Sequence, residues 1–257
     1  MDYFFEQLNF VDINIILLFI VLLLAHIAEA VTGFGSTILS VALGANLYPL
    51  DKLLPTIIPL NFFLSLYIVL RHRRYLDFGI LFKKIIPFFI IGMPLGILIF
   101  NLGAGSMLNL IFGFFVIILT GVEFMRLRNS YRQFESRPLP TIWGALCLIT
   151  GGIVHGLYAS GGPLVVYYAN RQISDKKVFR STVSGLWLLM SVVLIINYYI
   201  AGKITPITLQ NILILIPSLI LGILIGELVH ERINERIFRV LIYIFLFIAG
   251  LSLIIDA

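Results

Sequence analysis

Two glycine-rich stretches, Thr32-Gly33-Phe34-Gly35-Ser36 and Ala159-Ser160-Gly161-Gly162-Pro163, interrupt otherwise apolar runs. Such a break frees backbone N–H groups, and a helix starting immediately afterwards points its positive end at the break. Two helix starts that converge make an anion site needing no Lys or Arg. The Ser36 hydroxyl can cap the following helix or face a ligand, with Thr37 beside it. Pro163 suits the first turn of a helix. The candidate substrate-binding residues are therefore Thr32, Gly33, Phe34, Gly35, Ser36 and Thr37 from the first stretch. The second stretch contributes Tyr158, Ser160, Gly161, Gly162 and Pro163. The competing reading is a pair of packing kinks.

Three ionisable residues lie in apolar runs beside the breaks. His26 and Glu29 are three apart, on one face of a helix, and His155 lies just before the second break. Ionisable groups at membrane depth are costly and face a cavity or a partner. A His–Glu pair beside an anion can carry a coupled proton; the alternative is a hydrogen-bonded lock between helices. Asn61, Asn197, Tyr158 and Tyr167 read as packing polar groups. The remaining Lys and Arg are read as loop residues, too far from the centre to touch the ligand.

No enzyme is expected. Ser160 near His155 suggests a nucleophile and a base, but no third group orients them. Neither metal-ligand spacing nor a phosphate-binding Walker motif occurs, so no metal and no cofactor are expected. The one cysteine, Cys147, lies inside an apolar segment and reads as a small buried residue.

These residues must be held by membrane helices. The chain of 257 residues is 60% hydrophobic and 12% charged, about half the charged fraction of a soluble domain. The net charge of +5 does not point to nucleic acid, because the basic residues sit in short loops between apolar runs. Runs at 13–30, 52–70, 85–101, 106–126, 178–200, 208–228 and 236–255 are long enough to cross a bilayer. Pro217 is a candidate kink, and run 141–157 is slightly short. Runs 36–50 and 163–170, each following a break, are too short to span comfortably. The first run lacks the basic start of a secretory signal and is expected to be retained.

Sixteen of the eighteen basic residues fall in four clusters: 71–84, 126–137, 171–180 and 232–239. The positive-inside bias makes these clusters cytoplasmic and puts both termini outside. That parity requires each short run to reverse the chain together with the helix before it, as a second crossing or a re-entrant hairpin. The expected location is the inner, cytoplasmic membrane.

The two halves repeat. Pro87, Gly92 and Gly96 match Pro217, Gly222 and Gly226 at a constant offset of 130, and Asp51-Lys52 matches Asp175-Lys176. The expected fold is an all-α integral membrane protein of two inverted repeats with five helical segments each. Its Gly-rich broken helices or hairpins meet near the midplane. The repeats occupy 1–126 and 141–257, joined by a cytoplasmic linker at 127–140. The Gly-x3-Gly pairs let helix backbones approach closely, inside the bundle or in a homo-oligomer.

The Glu-x2-Thr-Gly-Phe-Gly-Ser stretch at 29–36, the Asp-Lys steps, the Gly-x3-Gly helices and Ala-Ser-Gly-Gly-Pro at 159–163 resemble the sulfite exporter TauE/SafE family of membrane permeases. The resemblance covers nearly the whole chain. It implies a secondary transporter whose partners are the lipid bilayer, a small sulfur-containing anion such as sulfite or an organosulfonate, and a coupling proton. Export is the implied direction. An anion channel and a non-transporting membrane scaffold are the alternatives.

Overall fold

The computed structural model describes residues 13–102, 105–128, 140–230 and 235–255. Among these residues every regular element is helical. In chain order the α-helices are α1 (Ile13–Thr32), α2 (Ser36–Gly44), α3 (Leu50–His72), α4 (Ile86–Leu102) and α5 (Gly105–Arg128). The second half supplies α6 (Thr141–Tyr158), α7 (Gly162–Ala169), α8 (Lys176–Ile200), α9 (Pro206–His230) and α10 (Glu235–Ile255). A 3-10 turn at Arg73–Tyr75 and a π-helical stretch at Ile80–Ile85 join α3 to α4. The expected linker, 127–140, lies almost entirely outside the described residues.

Among the described residues, six stretches are long and apolar enough to cross a membrane: Ile13–Thr32, Leu50–Tyr75, Ile80–Leu102, Thr141–Tyr158, Lys176–Ile200 and Pro206–Leu228. The pattern is that of a membrane bundle. Leu17, Ile20 and Leu24 on α1 and Ile91, Leu95 and Leu98 on α4 are exposed, while His26, Glu29, Ser36, Ser40, Ser65 and Ser184 are buried. Apolar faces meet lipid and polar groups turn inward, because hydrocarbon offers no hydrogen bonds. The helices run without interruption through Pro55, Pro59, Pro94 and Pro217.

α2 has nine residues and α7 has eight. At 1.5 Å per residue they rise only about 12–14 Å, less than half the hydrocarbon thickness. Each is a half-helix that packs back on the long helix before it, α2 on α1 and α7 on α6. Each break therefore folds as a helical hairpin.

Four helix pairs join the halves most extensively: α4 with α6, α1 with α9, α5 with α10, and α3 with α8. Their directions follow from contacts. Gly222 abuts His26 and Gly226 abuts Ala30, so α1 and α9 run parallel. Gly92 abuts the Ile149 carbonyl and Gly96 that of Ile153, so α4 and α6 run parallel. The His72 carbonyl, at the end of α3, accepts from Ser181 Oγ near the start of α8 at 3.1 Å. At the other end, Asp51 lies within electrostatic reach of Lys203, so α3 and α8 are antiparallel. Gly113 faces Leu253 and Ile254 while Phe124 meets Tyr243, which makes α5 and α10 antiparallel.

Both Gly-x3-Gly pairs therefore serve packing within the bundle. A Cβ at Gly92 or Gly96 would run into backbone of α6, and no rotamer change relieves that. Two basic clusters share one end of the bundle: Lys84 Nζ donates to Gln172 Oε1 at 3.0 Å, and Lys177 Nζ lies 5.5 Å from the Tyr75 ring centre. At the opposite end Lys203 lies over the Phe100 ring at 4.0 Å. Burial pulls its ammonium pKa down, and Asp51 partly offsets that.

Candidate functional site

Each long helix before a break ends on a left-handed residue. Gly33, at φ 82°, closes α1 with its N–H on the Glu29 carbonyl at 2.7 Å. Ala159, at φ 53°, closes α6 with its N–H on the His155 carbonyl, also at 2.7 Å. A left-handed residue is the common way to stop a helix, and glycine adopts it without the Cβ clash that alanine incurs. Gly35, at φ 105°, then turns the chain into α2.

The two breaks meet at one cavity. Its walls are Phe34, Gly35, Thr37 and Ile38 from the first hairpin and Ala159, Ser160, Gly162 and Pro163 from the second. Glu29 of α1 and Trp187, near the middle of α8, complete it. The cavity volume is about 20 Å³, room for about one water molecule.

Glu29 is 2% exposed and is the centre of the polar network. Its carboxylate accepts from the Ser36 N–H at 3.2 Å, from Ser36 Oγ, and from Ser65 Oγ of α3 at 3.4 Å. The carboxylate sits against the positive end of α2, where a negative charge is favoured. Ser36 accordingly neither caps α2 nor turns its hydroxyl to the cavity: the helix cap is Gly35, and the hydroxyl serves Glu29. His26 reaches the same region indirectly. Its Nε2 lies 3.3 Å from Asn61 Oδ1, and Asn61 Nδ2 donates to Thr37 Oγ1 at 3.0 Å.

The other candidates fall into two groups. Thr32 Oγ1 lies 2.7 Å from the carbonyls of Ala28 and Phe34, so it braces the turn. The Tyr158 hydroxyl donates to the Leu108 carbonyl of α5 at 2.9 Å, and its ring lies 4.6 Å from that of Phe112. Ser160 Oγ donates to the Tyr158 carbonyl at 2.9 Å while lining the cavity. Gly33 is pressed against the Arg180 backbone, and Gly161 against the Gly151 carbonyl. His155 stands outside the cavity wall, its ring stacked on Trp187 at 5.4 Å and tilted against Phe89 at 5.4 Å.

Three residues escaped the sequence reading. Ser65 is polar inside an apolar span. Trp187 is one of two tryptophans in the chain and forms a wall of the cavity. Arg180 corrects the expectation that every Lys and Arg is remote. It is 8% exposed, lies in the second turn of α8 beside Gly33, and pairs with Glu227 of α9 at 3.2 Å. The signal was available: Asp175 caps α8 by accepting from Lys177 N at 2.8 Å and Val178 N at 3.0 Å, which places Arg180 inside the helix.

A family model described as Sulfite exporter TauE/SafE matches residues 18–253. No curated protein and no solved structure matches the chain.

Proposed function

The chain belongs to the sulfite exporter TauE/SafE family, and from that premise we propose that it is a secondary carrier exporting sulfite or an organosulfonate, held between the two breaks. The observation that carries this reading is the convergence of both hairpins on a single cavity with Glu29 in its wall. An anion there exchanges its water for helix N-termini and oriented N–H groups. At about 20 Å³ the cavity is too tight for an oxyanion of four heavy atoms. Loading therefore requires the hairpins to part, which favours a carrier over an open channel.

Coupling rests on Glu29. A carboxylate at the anion site repels the substrate, and a neutral carboxyl does not, so proton and anion are carried together. His26 joins through Asn61 and Thr37. His155 has no part in the proton step, because Trp187 stands between it and the cavity. The repeats are inverted: α3 against α8 and α5 against α10 are antiparallel mates, and the parallel pairs α1–α9 and α4–α6 exchange under the same two-fold relation. The end carrying Arg74 and Lys177 faces the cytoplasm of the inner membrane, with the termini outside.

The test is flux in proteoliposomes. Labelled sulfite should enter saturably and respond to an imposed pH gradient. Linear, non-saturating flux would establish a channel, and absence of flux for sulfite and organosulfonates alike would favour a scaffold. For orientation, cysteines placed at Arg74 and Lys177 should resist an impermeant thiol reagent in intact cells; labelling of either from outside sinks the topology.

A further inference from the structure

Arg180 begins a line of buried polar groups on α8. Residues 180, 184 and 187 fall on one stripe of a helix at 3.6 residues per turn. Ser184 is fully buried, and its Oγ has no hydrogen-bond partner; Arg180 Nε is likewise buried without one. Trp187, about 10 Å further along the helix, forms the cavity wall. The line thus runs from the basic end of the bundle to the cavity. Its two unused donors are of the kind an oxyanion accepts from, since a guanidinium presents five N–H groups in a fixed fork.

The counter-charge of Arg180 is incompletely engaged. Glu227 Oε1 meets only Nη2, at 3.2 Å, and the Glu227 side chain is 30% exposed. Glu29 feels the Arg180 charge through space. Gly33, on which α1 ends, lies directly on the Arg180 backbone and Cγ, so the stem of this side chain is packed against the turn of the first hairpin.

We propose that Arg180 and Ser184 form a second, transient oxyanion position between the cavity and the basic end of the protein, which Arg180 serves by exchanging Glu227 for the substrate. The proposal rests on the carrier reading above and adds a residue role to it. Glu227 acts as a stand-in for the anion: it keeps the buried guanidinium paired while the position is empty, and releases it when a better-placed oxyanion arrives. Strict export or import is not required, because the position is visited in either direction.

The experiment is sulfite flux in proteoliposomes and sulfite-induced thermal shift in detergent, for wild type, Arg180→Gln, Glu227→Gln, Ser184→Ala and the double variant Arg180→Gln/Glu227→Gln. Arg180→Gln should lose about tenfold or more in flux, the scale of a lost charge-assisted hydrogen bond. Glu227→Gln should bind sulfite more tightly, by about threefold or more, because the guanidinium no longer has a competing carboxylate. The double variant should stay as slow as Arg180→Gln. A purely structural ion pair predicts the opposite, since removing both charges relieves the cost of leaving one buried alone. Recovery of wild-type flux in the double variant therefore overturns the proposal while leaving the carrier reading intact. If Arg180→Gln does not fold, Glu227→Gln decides alone: unchanged or weaker sulfite binding overturns the proposal. A wild type that carries no sulfite or organosulfonate overturns both readings.

Discussion

At the first break α1 ends on Gly33 and turns into α2 through Gly35; at the second α6 ends on Ala159 and turns into α7 through Gly161 and Gly162. Both breaks open on a left-handed residue, but the first passes through a second one, Gly35, where Gly161 of the second is right-handed, and the side chains around them differ as well. The first break carries Glu29, Ser36 and Ser65 in mutual hydrogen bonds, with Arg180 against its turn. At the second, the His155 ring packs against both Phe89 and Trp187, and neither ring nitrogen has a hydrogen-bond partner. The two breaks thus share a left-handed helix end, and only the first carries a carboxylate. On the proposed carrier reading, the first break holds and releases a proton, and the second supplies a wall and a helix end.

The largest effect that would separate the two breaks is in coupling. Glu29→Gln should abolish flux driven by a pH gradient while sulfite still shifts the melting temperature, because Gln mimics the protonated carboxyl. His155→Phe should leave the gradient dependence in place and preserve or raise the melting temperature, since it replaces an unpartnered ring by one of similar shape. Loss of gradient dependence in the His155 variant alone would reverse the assignment.

Next come the glycines. Gly33→Ala must adopt a left-handed φ and collides with Arg180; Gly161→Ala collides with the Gly151 carbonyl and the His155 Cβ. Each should lower stability by about 1–3 kcal/mol, the range for overpacked sites, as read by denaturation in detergent. Gly162→Ala meets only the Trp187 ring, at 3.7 Å, and should fold normally while narrowing the cavity. A Gly162 variant that binds and carries sulfite like wild type would remove the second break from the site.

The hydroxyls should differ less. Ser36→Ala removes the hydroxyl donor to a buried carboxyl, leaving the backbone N–H in place, and should cost about 1–3 kcal/mol of stability, whereas Ser160→Ala loses one neutral hydrogen bond, about 1 kcal/mol. Equal losses would show that Glu29 does not depend on Ser36. The smallest change is Ala159→Gly, which relieves a left-handed alanine and should raise stability by up to about 1 kcal/mol.

What the sequence determined by itself is local. Apolar run lengths set the long helices to within about two residues, because spanning hydrocarbon demands a continuous stretch of backbone-satisfied helix. Gly33 and Gly35 marked the first break, because few other residues allow a positive φ; at the second break the positive φ falls on Ala159, and Gly161 answers instead to the close approach of the Gly151 carbonyl. The Gly-x3-Gly spacing announced close helix contacts. Tertiary structure alone decided which helices those glycines meet and how Ser36 spends its hydroxyl. It also decided that His155 stacks behind Trp187, and that Arg180 turns inward to Glu227, 47 residues away. Charge counting assigns a basic residue to the nearest loop. Only the tertiary fold brings Glu227 to this guanidinium, and a carboxylate partner is what makes its burial affordable.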